Sequence, residues 1–312
     1  MISTEFLWSL LPSVGISAAA AAWLTKALVT HELSKDLERR KTELNERLER
    51  EKARWEGDVK QQVETILGDR AADREYTLDA RKRLYAAIGP LRFQLLMACR
   101  DFSGRILSHA NHGYDTSLGG YYGRSFLYRI LRPLTLSQLI EQQVAFADFS
   151  VDAGAGDLLR FKKAAFACLT GGTLVSGHPR TNWRREEEHV FHDHLARAAD
   201  AMIVTHPDKD GQCMRYSEFE QLLQTPEGLA AVVPFPTLLE QFSPQSKPLL
   251  WLRLVAYAYL CNEFINQVGG AIGFEARTLE PDPLLLVSTD KEISGALADY
   301  VSRCKAMVKS TL

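Results

Sequence analysis

Twenty consecutive residues, Phe6 to Thr25, carry no charge and run directly into Lys26 and a charged stretch with no proline before Pro90. A helix rises about 1.5 Å per residue, so a segment of that length spans roughly 30 Å, the thickness of a bilayer's hydrocarbon core. Trp8 and Trp23 stand near its ends, where amphipathic rings favour the membrane interfaces. The segment is only moderately apolar. Phe6, Leu7, Leu10, Leu11, Val14, Ile16 and Leu24 are its strong membrane formers, among alanines, serines, Gly15 and Pro12. Small residues recur every fourth position as Ser13, Ser17 and Ala21, a spacing that lets helices approach closely in lipid. A cleaved signal peptide is the rival reading, but no Lys or Arg precedes the apolar stretch. A buried core helix is the third. We read residues 1–30 as a transmembrane anchor in contact with a lipid bilayer.

Orientation follows from basic residues alone. None lies in positions 1–5, whereas Lys26, Lys35, Arg39, Arg40 and Lys41 follow the span, which predicts an external N-terminus and a cytoplasmic body at the cell or inner membrane. Cys99, Cys168, Cys213, Cys261 and Cys304 are odd in number and scattered, without metal-type spacing, as expected of reduced thiols.

Residues 31–82 read as a charged helical stalk. Positions 31–75 hold 11 Lys/Arg and 13 Asp/Glu, many at helical pair spacing, such as Glu43 with Arg47 and Glu46 with Arg50. Leu33, Leu44, Trp55 and Ile66 recur every eleven residues, as do Leu37, Leu48 and Val59. Eleven residues in three turns give about 3.67 per turn, which predicts a nearly straight or slightly right-handed coiled coil. The seam is thin, because the third core place holds Arg40 or Lys41, then Glu51 or Lys52, and only later Val63. A single solvated helix is the alternative. Tethering in one bilayer raises local concentration and favours pairing, so a homo-oligomer is expected.

Beyond the stalk the apolar share rises, and 83–312 reads as a helical domain large enough for its own core. Helical patterns cover 81–110, 136–149, 157–169, 183–204, 217–224, 248–268 and 290–308, with Pro90 expected to kink or restart the first. Two short apolar runs, 232–238 and 284–287, resemble strands, but prolines bracket both and an all-α fold is the better expectation. A net charge of −2 and a pI near 6.5 give nonspecific nucleic-acid binding no electrostatic support.

Chemistry is sparse. Five of the eight histidines fall between His178 and His206. On a helix from Trp183, with Phe191, Leu195, Ala198 and Met202 inward, one other face gathers Arg185, Glu188, His189 and His192. Glu188, His189 and His192 are then candidate ligands for a divalent metal, the only cofactor suggested, and Arg185, His189 and His192 candidate catalytic residues. An ordinary solvated face is the competing reading. The His192–Asp193 pair resembles the metal motif of HD-type phosphohydrolases, but His178 and Asp200 stand at the wrong spacings to complete it. Arg184–His189, Arg185–His192 and Arg105–His112 have the spacing of HEPN ribonucleases, at a number that composition alone supplies. Asp208 to Glu220 resembles an EF-hand loop, but Cys213 occupies the glycine position and Glu218 comes one residue early. The loop 113–123, with four glycines and three tyrosines, reads as a flexible connector or a mobile contact surface.

No Walker A, dinucleotide-binding, nucleophile-elbow or His-Glu-x-x-His pattern occurs. The plan of anchor, charged stalk and helical cytosolic body is similar to that of uncharacterised prokaryotic membrane proteins, some of them effectors of phage defence. That plan implies a scaffold or effector whose body binds a protein partner or signal. A membrane-tethered phosphodiesterase or ribonuclease is the alternative, and a pore-forming or membrane-disrupting effector the second alternative.

Overall fold

A computed structural model describes residues 4–145, 148–206 and 209–309, with side chains except at 4–19, 149, 153, 206, 209, 210 and 271. The chain is mainly helical and divides into two compact units, Met1–Glu75 and Tyr76–Leu312. Helix α1 is Thr4–His112.

In the first unit every described side chain, from Ala20 to Glu75, is exposed. Ion pairs such as Arg50–Glu46 and Lys52–Glu56 link successive turns. Leu33, Leu37, Leu44, Leu48 and Trp55 are each 59–68% exposed, so among the described residues nothing covers the eleven-residue stripe. Among the described residues no helix is long and apolar enough to cross a membrane. Most side chains of the expected span, those of residues 6–19, lie outside the described set.

The second unit is built around α8 (Pro248–Phe264). Proline opens it at a position where its missing N–H costs nothing, and nearly every residue from Leu249 to Phe264 is apolar. A helix apolar all round has to be surrounded. It packs on α3 (Ala153–Thr170), which packs on α2 (Tyr121–Val144). Ring contacts join Phe102 to Tyr257 at 4.6 Å and Phe161 to Phe264 at 4.5 Å. The second-unit part of α1 contributes Leu84, Ile88, Leu95, Cys99, Phe102 and Ile106 to this core at helical spacing. Its helix continues through Pro90 without the restart that was one of the two expectations there.

Smaller elements close the ends. They are α4 (His192–Asp200), an antiparallel hairpin of β1 (Ile203–His206) and β2 (Lys209–Cys213), and α5 (Tyr216–Leu222). Then follow α6 (Pro226–Ala231), α7 (Phe235–Leu239), α9 (Pro281–Leu286), α10 (Lys291–Gly295) and α11 (Leu297–Lys309). The two runs that resembled strands are α7 and α9, because Pro234 and Pro281 start helices there. The hairpin was not foreseen. Its second strand is the segment that resembled a calcium loop.

The largest departure concerns 183–204. Residues 183–191 are not helical, and α4 begins only at His192. Asn182 Oδ1 accepts from Arg184 N at 3.0 Å, and Glu186 Oε1 accepts from Phe191 N at 2.7 Å. Polar side chains that bond nearby backbone in this way compete with the helical ladder. The expected inward stripe survives where α4 and its exit exist, since Leu195, Ala198 and Met202 are fully buried. Phe191 is 41% exposed instead.

Candidate functional site

Without the helix over 183–191, the face expected to gather Arg185, Glu188, His189 and His192 does not form. Arg185 is exposed beside Glu187 at 3.8 Å. His192 is exposed at the start of α4, with its ring 5.2 Å from that of Phe166. Glu188 turns inward and caps α8, accepting from Leu249 N at 2.6 Å while pairing with Arg180 at 2.7 Å. A carboxylate at a helix N-terminus meets both free N–H groups and the positive end of the dipole.

His189 is buried between Trp183 and Phe191, edge-on to each at about 5 Å. Burial and the Arg253 guanidinium hold its imidazole below the usual histidine range, so it is neutral at physiological pH. Glu188 and His189 do share a cavity with Arg253 and Trp183, but it measures only about 20 Å³. That is the scale of one water, too small for an organic substrate. Arg253 itself is fully buried, donating to the carbonyls of Cys168 and Gly171 at 3.1 and 2.8 Å. Among the described residues no group of three or more His, Cys, Asp and Glu side chains is arranged to hold a metal ion.

A roomier concavity lies elsewhere in the second unit, as a groove between α1, α2, β2 and α5. One face of α2 supplies Tyr121, Ser125, Tyr128, Arg129 and Arg132, spaced at one, two and three helical turns. Two concavities, of about 250 Å³ and about 570 Å³, share Tyr128 and Arg132 as lining, and the Tyr128 hydroxyl donates to the Met214 carbonyl at 2.9 Å.

The smaller compartment is rich in guanidinium. Arg132 and Arg100 approach the Asp101 carboxylate at 3.5 and 3.1 Å, and Arg129 donates to the Asp101 carbonyl at 3.1 Å. One turn along α1, Arg105 donates to Ser125 Oγ at 3.0 Å. Burial, then the positive charge of Arg129, lowers the Arg105 pKa. Asp101 thus serves three arginines, and Arg105 and Arg129 have no carboxylate within ion-pair range among the described residues. Glu220 is engaged elsewhere, by Arg124 at 3.2 Å and the Tyr216 hydroxyl at 2.9 Å. Burial pushes Tyr128 and Tyr216 up to about 12, with the Glu220 bond adding to the latter, so both are neutral hydrogen-bonding groups.

The larger compartment is less charged. Pro90, Leu91 and Met214 line it with three amides, Gln94, Gln143 and Gln212, and with Arg215. Burial raises the Cys213 thiol there to about 12, which makes it a poor nucleophile.

The 113–123 segment makes specific contacts with the rest of the second unit. Thr116 Oγ1 donates to the Leu239 carbonyl at 2.7 Å, and Tyr114 stacks on Tyr122 with centroids 4.5 Å apart. Gly123 permits this, since a Cβ there would lie 2.0 Å from the Ser117 carbonyl oxygen. The Arg105 guanidinium sits about 6 Å from both stacked rings.

The groove can hold an anion beside a flat or apolar group. Of its tyrosines, sequence reasoning noticed only Tyr121, in the 113–123 loop, although the Tyr121–Ser125–Tyr128–Arg132 face of α2 was readable as a polar stripe. The chain matches no protein-family model, no curated protein and no solved structure at a significant level.

Proposed function

We propose that this protein is a membrane-anchored, self-associating scaffold or effector whose helical body receives a partner or signal at the arginine-lined groove. The observation that carries the reading is the uncovered stripe of the first unit. Leu33, Leu37, Leu44, Leu48 and Trp55 lie in solvent at an eleven-residue period, on a helix whose side chains from Ala20 to Glu75 are all exposed. A second copy is the occupant this stripe suits best. Identical stripes are complementary in period, and chains anchored in one bilayer present them in parallel and in register. The anchor itself is Phe6–Thr25, supported by twenty residues without a charge. The groove supports a binding role, because it concentrates hydrogen-bond donors and pairs them with a thiol and tyrosines that stay protonated.

Membrane extraction followed by light scattering of the detergent-solubilised full chain tests this. The chain should resist a carbonate wash and run at a multiple of 35.0 kDa, whereas Leu37→Glu/Leu48→Glu should stay in the membrane but fall to the monomer mass. A wild-type chain that washes off, or that is monomeric in detergent, would overturn the reading.

A further inference from the structure

The two compartments of the groove differ in chemistry, and that difference selects a ligand. Guanidinium groups are planar forks that match phosphate oxygens, and they are strongest where water is partly excluded. Arg129 and Arg132 reach the 250 Å³ compartment from one helix face, with Ser125 and the Tyr121 and Tyr216 rings around them. Asp101 is the only carboxylate lining it. An anion placed there relieves the repulsion between Arg105 and Arg129 and can accept from the Ser125 hydroxyl. The Tyr128 and Tyr216 hydroxyls already donate to the Met214 carbonyl and the Glu220 carboxylate.

The 570 Å³ compartment falls within the roughly 300–1,000 Å³ of small-molecule sites. Leu91, Pro90 and Met214 give it apolar surface for a ring, and Gln94, Gln143 and Gln212 each offer both a donor and an acceptor. Pro90 leaves a gap in the helical ladder beside the compartment. It has no N–H to give the carbonyl four residues earlier, that of Ala86, and Ala86 lines the same compartment. Among the described residues no carboxylate lines this compartment, and Glu218 is committed to the Arg215 backbone N–H at 2.7 Å. A ligand lying across Tyr128 therefore meets cations at one end and an amide-lined apolar slot at the other.

We propose that this groove is a nucleotide site, taking the phosphate of a nucleoside mono- or diphosphate against Arg129, Arg132 and Ser125 and its base in the slot formed by Pro90, Leu91, Met214 and the three glutamines. The inference deepens the reading of the body as a signal receiver and rests on it. The ligand is bound, with no bond made or broken.

Isothermal titration of the full chain in detergent tests it, with AMP, ADP, GMP, GDP and inorganic phosphate as the probes and light scattering on the same sample. At least one nucleotide should bind saturably, at least tenfold more tightly than inorganic phosphate. Arg132→Lys, which keeps the charge but loses the fork, should weaken it about tenfold or more. Gln143→Leu should weaken the nucleotide while leaving phosphate binding unchanged, and circular dichroism melts of both variants should match the wild type. No saturable binding of any nucleotide at millimolar concentration overturns the proposal, as does equal affinity for nucleotide and phosphate. An oligomer that binds no nucleotide removes this inference and leaves the scaffold reading standing. A monomer that binds one does the reverse.

Discussion

His109 is the residue whose surroundings differ most from what its chemistry invites. It is 1% exposed, packed face to face with Phe242 at 5.4 Å and near Phe126 and Trp251, and neither ring nitrogen has a hydrogen-bond partner among the described residues. Burial, followed by the charge of Arg105 one turn away, lowers its pKa to about 4 from an ordinary 6.5. The folded state thus prefers the neutral ring, while the unfolded chain takes up a proton near pH 6.5. Stability is whole above that value and falls as the pH drops towards 4. The shift corresponds to a loss of about 2 kcal/mol by pH 5 and about 3 kcal/mol below pH 4. His109→Phe keeps the stacking and cannot titrate. Melting curves from pH 7.5 to 4.5 should show the variant losing clearly less stability than the wild type across that range, and parallel curves would contradict this account. His189 has the same sign of shift, so some acid sensitivity should remain in the variant.

At the scale of elements, the sequence was most legible where packing alone decides. The largely apolar run of α8, the stripe of α3, and Leu195 and Ala198 in the 183–204 pattern fold as helix and core, and Met202 is buried just past α4. It was least legible where a side chain bonds backbone distant in sequence. Glu188 is the clearest case. Nothing local reveals that it caps a helix 61 residues later, yet that bond draws it away from the helix face assigned to it. Replacing a side chain that caps a helix costs about 1–2 kcal/mol. Glu188→Ala should therefore lower the unfolding free energy of the chain by about 2 kcal/mol, and Glu188→Gln by less, since an amide oxygen can still accept. The loss should be the same with and without a chelator in denaturant titrations. A loss seen only when metal is present would return Glu188 to the role of ligand. The groove escaped prediction for a related reason. Its arginines and amides come from α1, α2 and β2, and only the α2 face is periodic in sequence. The β1–β2 hairpin is four and five residues long, too short for alternation to announce it.

For the whole molecule, the account depends on the first unit holding copies of the chain together while the second carries a binding groove. The eleven-residue period was visible in sequence, and every one of its apolar side chains is exposed in a single copy. Parallel, in-register pairing makes a residue-level forecast that mass alone does not. Identical positions on the seam come close to each other in an assembly, whereas positions on the outer face do not. Cysteines introduced singly between positions 33 and 59 and oxidised in membranes test this directly, against the unmodified chain with its five free thiols as the background. Cross-linked dimer should peak at 33, 37, 44, 48, 55 and 59 and fall to background at outer positions such as 38, 49 and 60. Cross-linking that is absent, or uniform along the stalk, would contradict self-association through this stripe.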